Sequence, residues 1–262
     1  MNKYLAGFQK YSFLLGELTK KGIKLRYRRS YLGIVWTLLE PLLTMIVLTL
    51  VFSVLLDRDD SIIPFPLYVL SGRLLYSFFA QGTRAAMKSV RSNASMIKKV
   101  YVPKYMYPLS CVVYNFFIFL ISLVIMAGTM LVLGVYPTIY LLQIFVPLIL
   151  LFMLTFGVGM ILATVTVFFR DMEYIWDVGL MLIMYTSAIF YYAEDIFKRA
   201  PEVYNIFYFN PLYAVIRLAR SAISGLPMEM SWLMIAAVSS VASVLIGFAL
   251  FYWKQDKFIL HL

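Results

Sequence analysis

Six long apolar stretches constrain this chain more than any other feature of its sequence. They cover roughly residues 37–56, 65–82, 107–133, 139–168, 175–192 and 231–253. A bilayer has a hydrocarbon core of about 30 Å, which a helix of roughly 20 mostly apolar residues can cross. Only 14% of the residues are charged, whereas soluble domains carry about a quarter. The sequence therefore predicts an all-α membrane protein, a single domain over residues 1–262 with six transmembrane helices within residues 37–253.

The basic residues are unevenly divided between the two sides of these predicted helices. With the N-terminus inside, 17 Lys and Arg lie on the inner side and 5 on the outer side, and Arg73 remains within a span. Cytoplasmic loops of membrane proteins carry such an excess of Lys and Arg. We therefore expect both termini to be cytoplasmic. The net charge of +10 then reflects the topology of the chain rather than binding to nucleic acid.

The N-terminal segment predicts a helix that lies along the membrane rather than across it. Within residues 3–24 the apolar side chains share one half of a helix and the lysines share the other, with Phe13 as the exception. A helix of this type lies in the interface between lipid and water. We expect an amphipathic interfacial helix within residues 1–30, and a cytosolic docking helix is the alternative.

Residues 193–230, between predicted spans five and six, are too apolar for a free loop and too short for two spans. At membrane depth, backbone that does not span has to be helical or buried by protein. We expect two short re-entrant or surface helices here. Pro211 after Asn210 would separate them, and Gly225 with Pro227 would end the second one.

Several classes of enzyme and carrier are disfavoured by what the sequence lacks. It has no G-x-x-x-x-G-K-[ST] segment to bind nucleotide phosphates. One cysteine, Cys111, and one histidine, His261, exclude a disulfide framework and a protein-only zinc site, so no metal site is expected. Arg73 is the only charge well within a span, whereas ion-coupled carriers usually place carboxylates or histidines there. Energy for transport would therefore come from another subunit.

Four segments carry a resemblance to a known family. They are IKLRYRRSYLGIVWTLLEPL (23–42), SNASMIKKVYVPK (92–104), FFRDMEYI (168–175) and FYFNPLYAVIRLAR (207–220). In these segments, in its predicted spans and in its length, the chain resembles the ABC-2 family of exporter permeases. Within that family it is similar to the branch that exports lipid-linked polysaccharides, which includes O-antigen, capsule and wall teichoic acid permeases.

This resemblance implies a transport subunit, not an enzyme, in the plasma (inner) membrane of a bacterium. Its cargo would be a glycan linked to undecaprenyl pyrophosphate. Two ABC ATPase subunits would bind ATP and Mg, so this chain itself would bind no cofactor. A homodimer is expected, because one chain of this size cannot enclose a path wide enough for a polymer.

Two other functions remain open at this point. One is an ABC-2 permease for another lipid or for a drug. The other is a membrane-embedded transferase acting on lipid-linked sugars, which would have to use the acidic residues Asp171, Glu173 and Asp177.

Arginines mark the expected entrance for the lipid on the cytoplasmic side. Arg26, Arg28 and Arg29 lie where the interfacial helix meets the first span. Arginine binds phosphate oxygens bidentately, so these residues are candidates for binding the lipid pyrophosphate. Anchoring on anionic lipid is the alternative. Leu32 and Gly33 would supply a bend before the span, and the resemblance places this bend at the entrance.

A short basic helix is predicted at residues 94–99, before Pro103. The resemblance makes it the coupling helix that contacts the ATPase subunit. Exposed apolar residues on a basic loop indicate a binding surface, and a plain cytoplasmic loop is the alternative. The candidate contact residues are Met96, Ile97, Lys98, Lys99 and Val100.

Aromatic residues make up 17% of the chain, and some of them could line a path for sugars, whose apolar C–H faces lie on aromatic rings. The candidates for a channel lining or outer gate are Tyr185, Phe190, Tyr191, Tyr192, Asn210, Pro211 and Arg217. The last three belong to a segment in which the resemblance places gating helices. Aromatic belts at the membrane surface and a purely structural helix cap are the alternatives.

Overall fold

A computed structural model of the chain describes residues 2–27, 31–56, 63–99, 102–193, 196–197, 202 and 204–258. The α-helices in these ranges are α1 (Asn2–Tyr27), α2 (Trp36–Leu56), α3 (Phe65–Ser92), α4 (Ala94–Ile97), α5 (Met106–Val132), α6 (Phe145–Phe168), α7 (Met172–Thr186), α8 (Tyr204–Tyr208), α9 (Pro211–Ile223) and α10 (Met230–Lys254). Short 3-10 segments at Gly33–Val35, Ile139–Ile144 and Gln255–Lys257 extend α2, α6 and α10. Over these residues the predicted all-α fold is confirmed.

Four of the six predicted spans are confirmed as helices that are long and apolar enough to cross a membrane. They are Gly33–Val51, Met106–Val132, Ile139–Phe168 and Met230–Lys257. The other two predicted spans correspond to α3, which carries charges along much of its length, and to α7. With 15 residues, α7 is only about 22 Å long at the rise of an α-helix. That α3 and α7 cross the membrane stays a prediction.

The predicted end of the fifth span at residue 192 is wrong. α7 ends at Thr186, and the chain turns at Ala188, which has a positive φ of 46°. A side chain with a Cβ rarely adopts this left-handed geometry, which cannot continue a right-handed helix. Residues 187–192 therefore form an irregular turn after α7.

Glycines bring α6 and α10 into direct backbone contact. A Cβ added to Gly157 would lie 2.4 Å from the carbonyl carbon of Ser243, and one added to Gly247 would lie 2.7 Å from the carbonyl oxygen of Gly157. On the same face of α10, the Ser240 hydroxyl donates to the carbonyl of Leu150 at 3.0 Å. Small residues of this kind let helices pack closely in membranes. The contact fixes the distance between the fourth and the last predicted span.

The predicted N-terminal helix is present as α1, and Phe13, the predicted exception to its apolar face, is 76% exposed. α1 packs against α5, where a Cβ added to Gly22 would lie 2.6 Å from the ring of Tyr114. Close packing against another helix therefore holds α1 in place. Its position in the membrane interface stays a prediction.

Two short helices, α8 and α9, occupy the described part of residues 193–230, and they are separated at Asn210 as predicted. The chain leaves α9 through Gly225, whose φ of 72° suits glycine. Most of α9 is buried, because α3, α6, α10 and the segment Ile139–Ile144 all pack around it. The re-entrant placement of α8 and α9 in the membrane stays a prediction.

The helix bundle has two distinct ends. At one end Lys104, which precedes α5, donates from Nζ to the carbonyl of Gln255 after α10 at 2.6 Å. This end also holds α4 and the end of α3, and we call it the basic end. At the opposite end Arg217 of α9 pairs with Glu229 before α10 at 2.9 Å, and we call this the α9 end.

Candidate transport sites

The first predicted site lies where α1 meets α2. Arg26 donates from Nη1 to Oδ1 of Asn115 at 3.1 Å and from Nη2 to Oε1 of Gln81 at 2.5 Å. These bonds tie the end of α1 to α5 and α3 and leave further guanidinium N–H groups available. Arg28 and Arg29 lie outside the described residues.

The predicted bend before α2 coincides with a left-handed residue. Gly33 has a φ of 50°, and nothing lies within 4 Å of the position where a Cβ would stand. The carbonyl of Leu32 accepts a bond from the N–H of Val35 at 3.0 Å, which starts the 3-10 turn leading into α2. The glycine is therefore required by its backbone conformation rather than by lack of space.

The predicted coupling helix is α4, and one of its expected contact residues is revised. Ile97 is only 8% exposed and packs into the core of this chain. Its side chain therefore anchors α4 to the core of this chain, and the expectation that Ile97 is exposed to a partner is wrong. Met96 is half-buried, Lys98 and Lys99 are exposed, and Val100 lies outside the described residues.

Next to α4, an ion-pair cluster joins the end of α3 to the start of α7. Arg91 and Lys88 approach the carboxylate of Glu173 at 2.6 and 3.3 Å. Arg84, one turn before Lys88 on α3, pairs with Asp177, one turn after Glu173 on α7, at 2.7 Å. Sequence reasoning missed this cluster, although the spacing of the three basic residues on α3 places them on one helical face.

The aromatic residues that follow α7 pack against the start of α3. The hydroxyl of Tyr68 donates to the carbonyl of Tyr191 at 2.9 Å, and the Tyr192 hydroxyl donates to the carbonyl of Ile63 at 3.2 Å. The rings of Tyr68 and Tyr192 meet edge to face at 4.5 Å. The Tyr191 hydroxyl donates to the carbonyl of Tyr185. These residues therefore brace the turn at the α9 end, where two more of the predicted residues, Tyr185 and Phe190, also lie.

Asn210 fixes where α9 begins and how it meets α7. Its Oδ1 accepts bonds from the N–H groups of Leu212 and Tyr213 at 3.0 and 3.2 Å, which is an N-cap, and Pro211 stands at the first helical position. Its Nδ2 donates to the carbonyl of Thr186 at the end of α7 at 3.1 Å. A single amide therefore joins the two helices.

Arg217, the last of the predicted gate residues, is held in one position by three groups. It pairs with Glu229 at 2.9 Å and donates to the Tyr213 hydroxyl at 3.3 Å. Its guanidinium also stands 5.1 Å from the centre of the Trp232 ring, a cation–π arrangement. The residue thus connects α9 to the start of α10.

Comparison with known proteins assigns the chain to a family. Residues 14–224 match the ABC-2 type transporter family. The chain belongs to that family. It is therefore a membrane subunit that works with an ATPase partner, and its relatives are transport permeases rather than enzymes.

Three relatives of this ABC-2 permease are named for polysaccharide export. The O-antigen export system permease protein RfbA of Klebsiella pneumoniae is 28% identical over 249 residues, 94% of this chain and 93% of the relative. RfbA of Myxococcus xanthus is 32% identical over 184 residues, 69% of both chains. The polysialic acid transport protein KpsM of Escherichia coli is 23% identical over 261 residues, 97% of this chain and 98% of the relative.

One important residue of the permease was not predicted as a site. Arg220 is 6% exposed, and its Nη2 donates to the carbonyls of Tyr68 and Ala188 at 3.0 Å each. Its guanidinium lies 3.3 Å from the centre of the Tyr68 ring. Gly72 makes room for it, since an added Cβ would stand 2.7 Å from Nη2. Arg220 therefore joins α9 to α3 and to the turn after α7.

Proposed function

We propose that this permease forms the membrane path of an ATP-driven exporter for a polysaccharide linked to undecaprenyl pyrophosphate in the bacterial plasma membrane. The observation that carries the proposal is similarity over nearly the whole chain to permeases named for O-antigen and polysialic acid export. Arg26, with Arg28 and Arg29, would receive the lipid pyrophosphate, and both termini would be cytoplasmic.

The exposed face of α7 supports a homodimer with the path between two copies. Tyr174, Val178, Met181 and Tyr185 are each at least half exposed, and their spacing places them on one side of the helix. A two-fold assembly is the commonest way to cover a self-complementary face. In such a dimer, α7 and the polar side of α3 would face the path.

The transferase alternative has little support from the carboxylates it would need. Of its three candidate carboxylates, Glu173 and Asp177 are both engaged in ion pairs with α3, which leaves only Asp171 as a candidate general base. Export of another lipid remains the competing proposal. Reconstitution with the ATPase decides between them: ATP-dependent translocation of a glycan on undecaprenyl pyrophosphate supports our proposal, and translocation of only glycan-free lipids contradicts it.

Reversing the charge of Lys98 and Lys99 together to Glu is expected to reduce recovery of the ATPase with the purified permease at least tenfold and to stop export. These side chains are the exposed charges beside α4, so they are the ones available to a partner. Co-purification from membranes measures the first effect. The matched control is Lys20→Glu with Lys21→Glu, an equal change of charge on exposed residues of α1. If the ATPase is recovered equally with both double variants, α4 is not the surface that binds it.

Shortening both Tyr191 and Tyr192 to Ala is expected to raise the resting ion conductance of liposomes containing the complex several-fold, without ATP. The two side chains brace the turn at the α9 end through bonds to Tyr185 and Ile63, so their loss would loosen a seal there. Tyr252→Ala serves as the control, because Tyr252 is 76% exposed on α10. If the double variant is as tight as the control, the gate lies elsewhere.

A further inference from the structure

A cavity of about 240 Å³ with polar and apolar walls lies between the end of α1 and the helices α2, α3 and α5. Both signs of charge, two side-chain amides and aromatic rings line it. The residues used below are Arg26, Tyr27, Trp36, Glu40, Arg73 and Gln81. A mixture of cations, a carboxylate and aromatic faces is suited to a ligand that carries both phosphate and hydroxyl groups.

Arg73 is the unusual residue of this cavity. It lies in the middle of the apolar stretch 65–82, where a charge is costly and usually marks a functional site. Among the residues that the structure describes, no carboxylate lies close enough to Arg73, within 4.0 Å, to form an ion pair with it. Its neighbours are the sulfur of Met184 at 3.8 Å and the ring of Tyr76 at 5.8 Å. Neither of them carries an opposite charge.

A second arginine stands at the other end of the cavity. Arg26 of α1 donates a hydrogen bond to Gln81 of α3. Gln81 lies eight residues after Arg73 on α3, which separates these two residues by about 12 Å along the helix axis. Burial raises the pKa of the neighbouring Tyr27 phenol above its ordinary value, against the opposing charge of Arg26. The phenol therefore stays protonated and can donate a hydrogen bond.

Glu40 supplies the acceptor that a sugar requires. It is exposed in the same cavity, one turn into α2, and the part of the chain that the structure describes offers it no ion pair. A carboxylate accepts bonds from hydroxyl groups and cannot donate to phosphate. Trp36, at the start of α2, presents a ring on which the C–H face of a sugar can lie.

We propose that this cavity binds the sugar-phosphate head of a membrane lipid, with Arg73 and Arg26 on the phosphate oxygens, Glu40 on sugar hydroxyls and Trp36 against the ring. The inference deepens the proposed function and rests on it. It extends the entrance at Arg26 into the bundle as far as Arg73. The head group would be held by its first sugar as well as by its phosphates.

The test uses the complete complex with its ATPase in vesicles of phosphatidylethanolamine and phosphatidylglycerol. The probe is undecaprenyl pyrophosphate carrying one N-acetylglucosamine, and the readout is the probe concentration that gives half-maximal stimulation of ATP hydrolysis. Arg73→Gln is expected to raise this concentration at least tenfold. Arg73→Lys should raise it less, because lysine keeps the charge but loses the bidentate geometry. Arg170→Gln, which removes the same charge from an exposed position outside the cavity, should leave it unchanged.

Two further arms separate the rival explanations. If Arg73 and Glu40 serve only as counter-ions, the double variant Arg73→Gln with Glu40→Gln recovers the wild-type value, and the site is overturned. If free pyrophosphate competes as well as the lipid probe, the ligand is not a lipid head, and the proposal is again overturned. If no lipid-linked probe stimulates ATP hydrolysis by the wild-type complex, the proposed function is contradicted. A responsive wild type with an unaltered Arg73→Gln variant contradicts this inference alone.

Discussion

Replacing Glu173 with Arg is expected to abolish export while the permease still assembles with its ATPase. The Glu173 carboxylate binds Arg91 at 2.6 Å and Lys88 at 3.3 Å, and α4 begins two residues after the end of α3. A hydrogen bond to a charged group contributes about 2 kcal/mol, or roughly a 30-fold change in an equilibrium constant. With arginine at position 173 attraction becomes repulsion, so the end of α3 and the start of α7 would separate.

The reciprocal exchange distinguishes this cluster from a general loss of folding. Arg91→Glu combined with Glu173→Arg restores one ion pair with its direction reversed, and it should recover a substantial part of export in a vesicle translocation assay. Glu17→Arg is the matched control, since Glu17 pairs with Lys20 at 3.0 Å on the exposed side of α1 and such surface pairs contribute little. A reciprocal variant as inactive as Glu173→Arg would show that the pairing is not what matters.

Replacing Gly157 with Val is expected to lower the thermal midpoint of the detergent-solubilised permease by about 10 °C. Backbone atoms of α10 lie 2.4 Å from the site of the new Cβ, so no change of rotamer can relieve the contact and the two helices have to move apart. Overpacking of this kind costs about 3 kcal/mol, which in a chain of this length corresponds to roughly 10 °C.

Gly128→Val provides the comparison for that measurement. Gly128 also lies within a predicted span, in α5, and nothing stands within 4 Å of its added Cβ. The substitution therefore shares the backbone effect of replacing glycine by valine but creates no contact with another helix. Similar midpoints for both variants would mean that the approach of α6 to α10 does not limit stability.

The sequence allowed prediction of features that depend on local composition. Length and hydropathy identified four spans, and the Asn210–Pro211 pair correctly marked the start of α9, because an N-cap followed by proline is a local signal. The end of α7 at Thr186 was not predicted, because the prediction used local composition alone. Residues 187–192 remain apolar, and hydropathy carries no information about the positive φ of Ala188.

Contacts between distant segments could not be predicted in this way. Arg91 and Glu173 are 82 residues apart in the chain, and Arg220 and Tyr68 are 152 apart. Which charges meet depends on how the helices pack, and no local pattern specifies this. The burial of Ile97 was misjudged for a related reason, since a basic loop with apolar residues does not reveal which of them face the protein's own core.

Through the bonds of Arg220, α3 connects the α9 end of the bundle to the basic end. Tyr68, whose carbonyl Arg220 holds, lies 24 residues before Ser92 on one uninterrupted helix, a length of about 36 Å. α4 begins two residues beyond Ser92. A displacement of α4 would therefore be carried along α3 to the other end of the bundle, where Arg220 links this helix to α9 and to the turn at Ala188. If α4 binds the ATPase and the gate lies at the α9 end, as we propose, the same helix would connect the two sites.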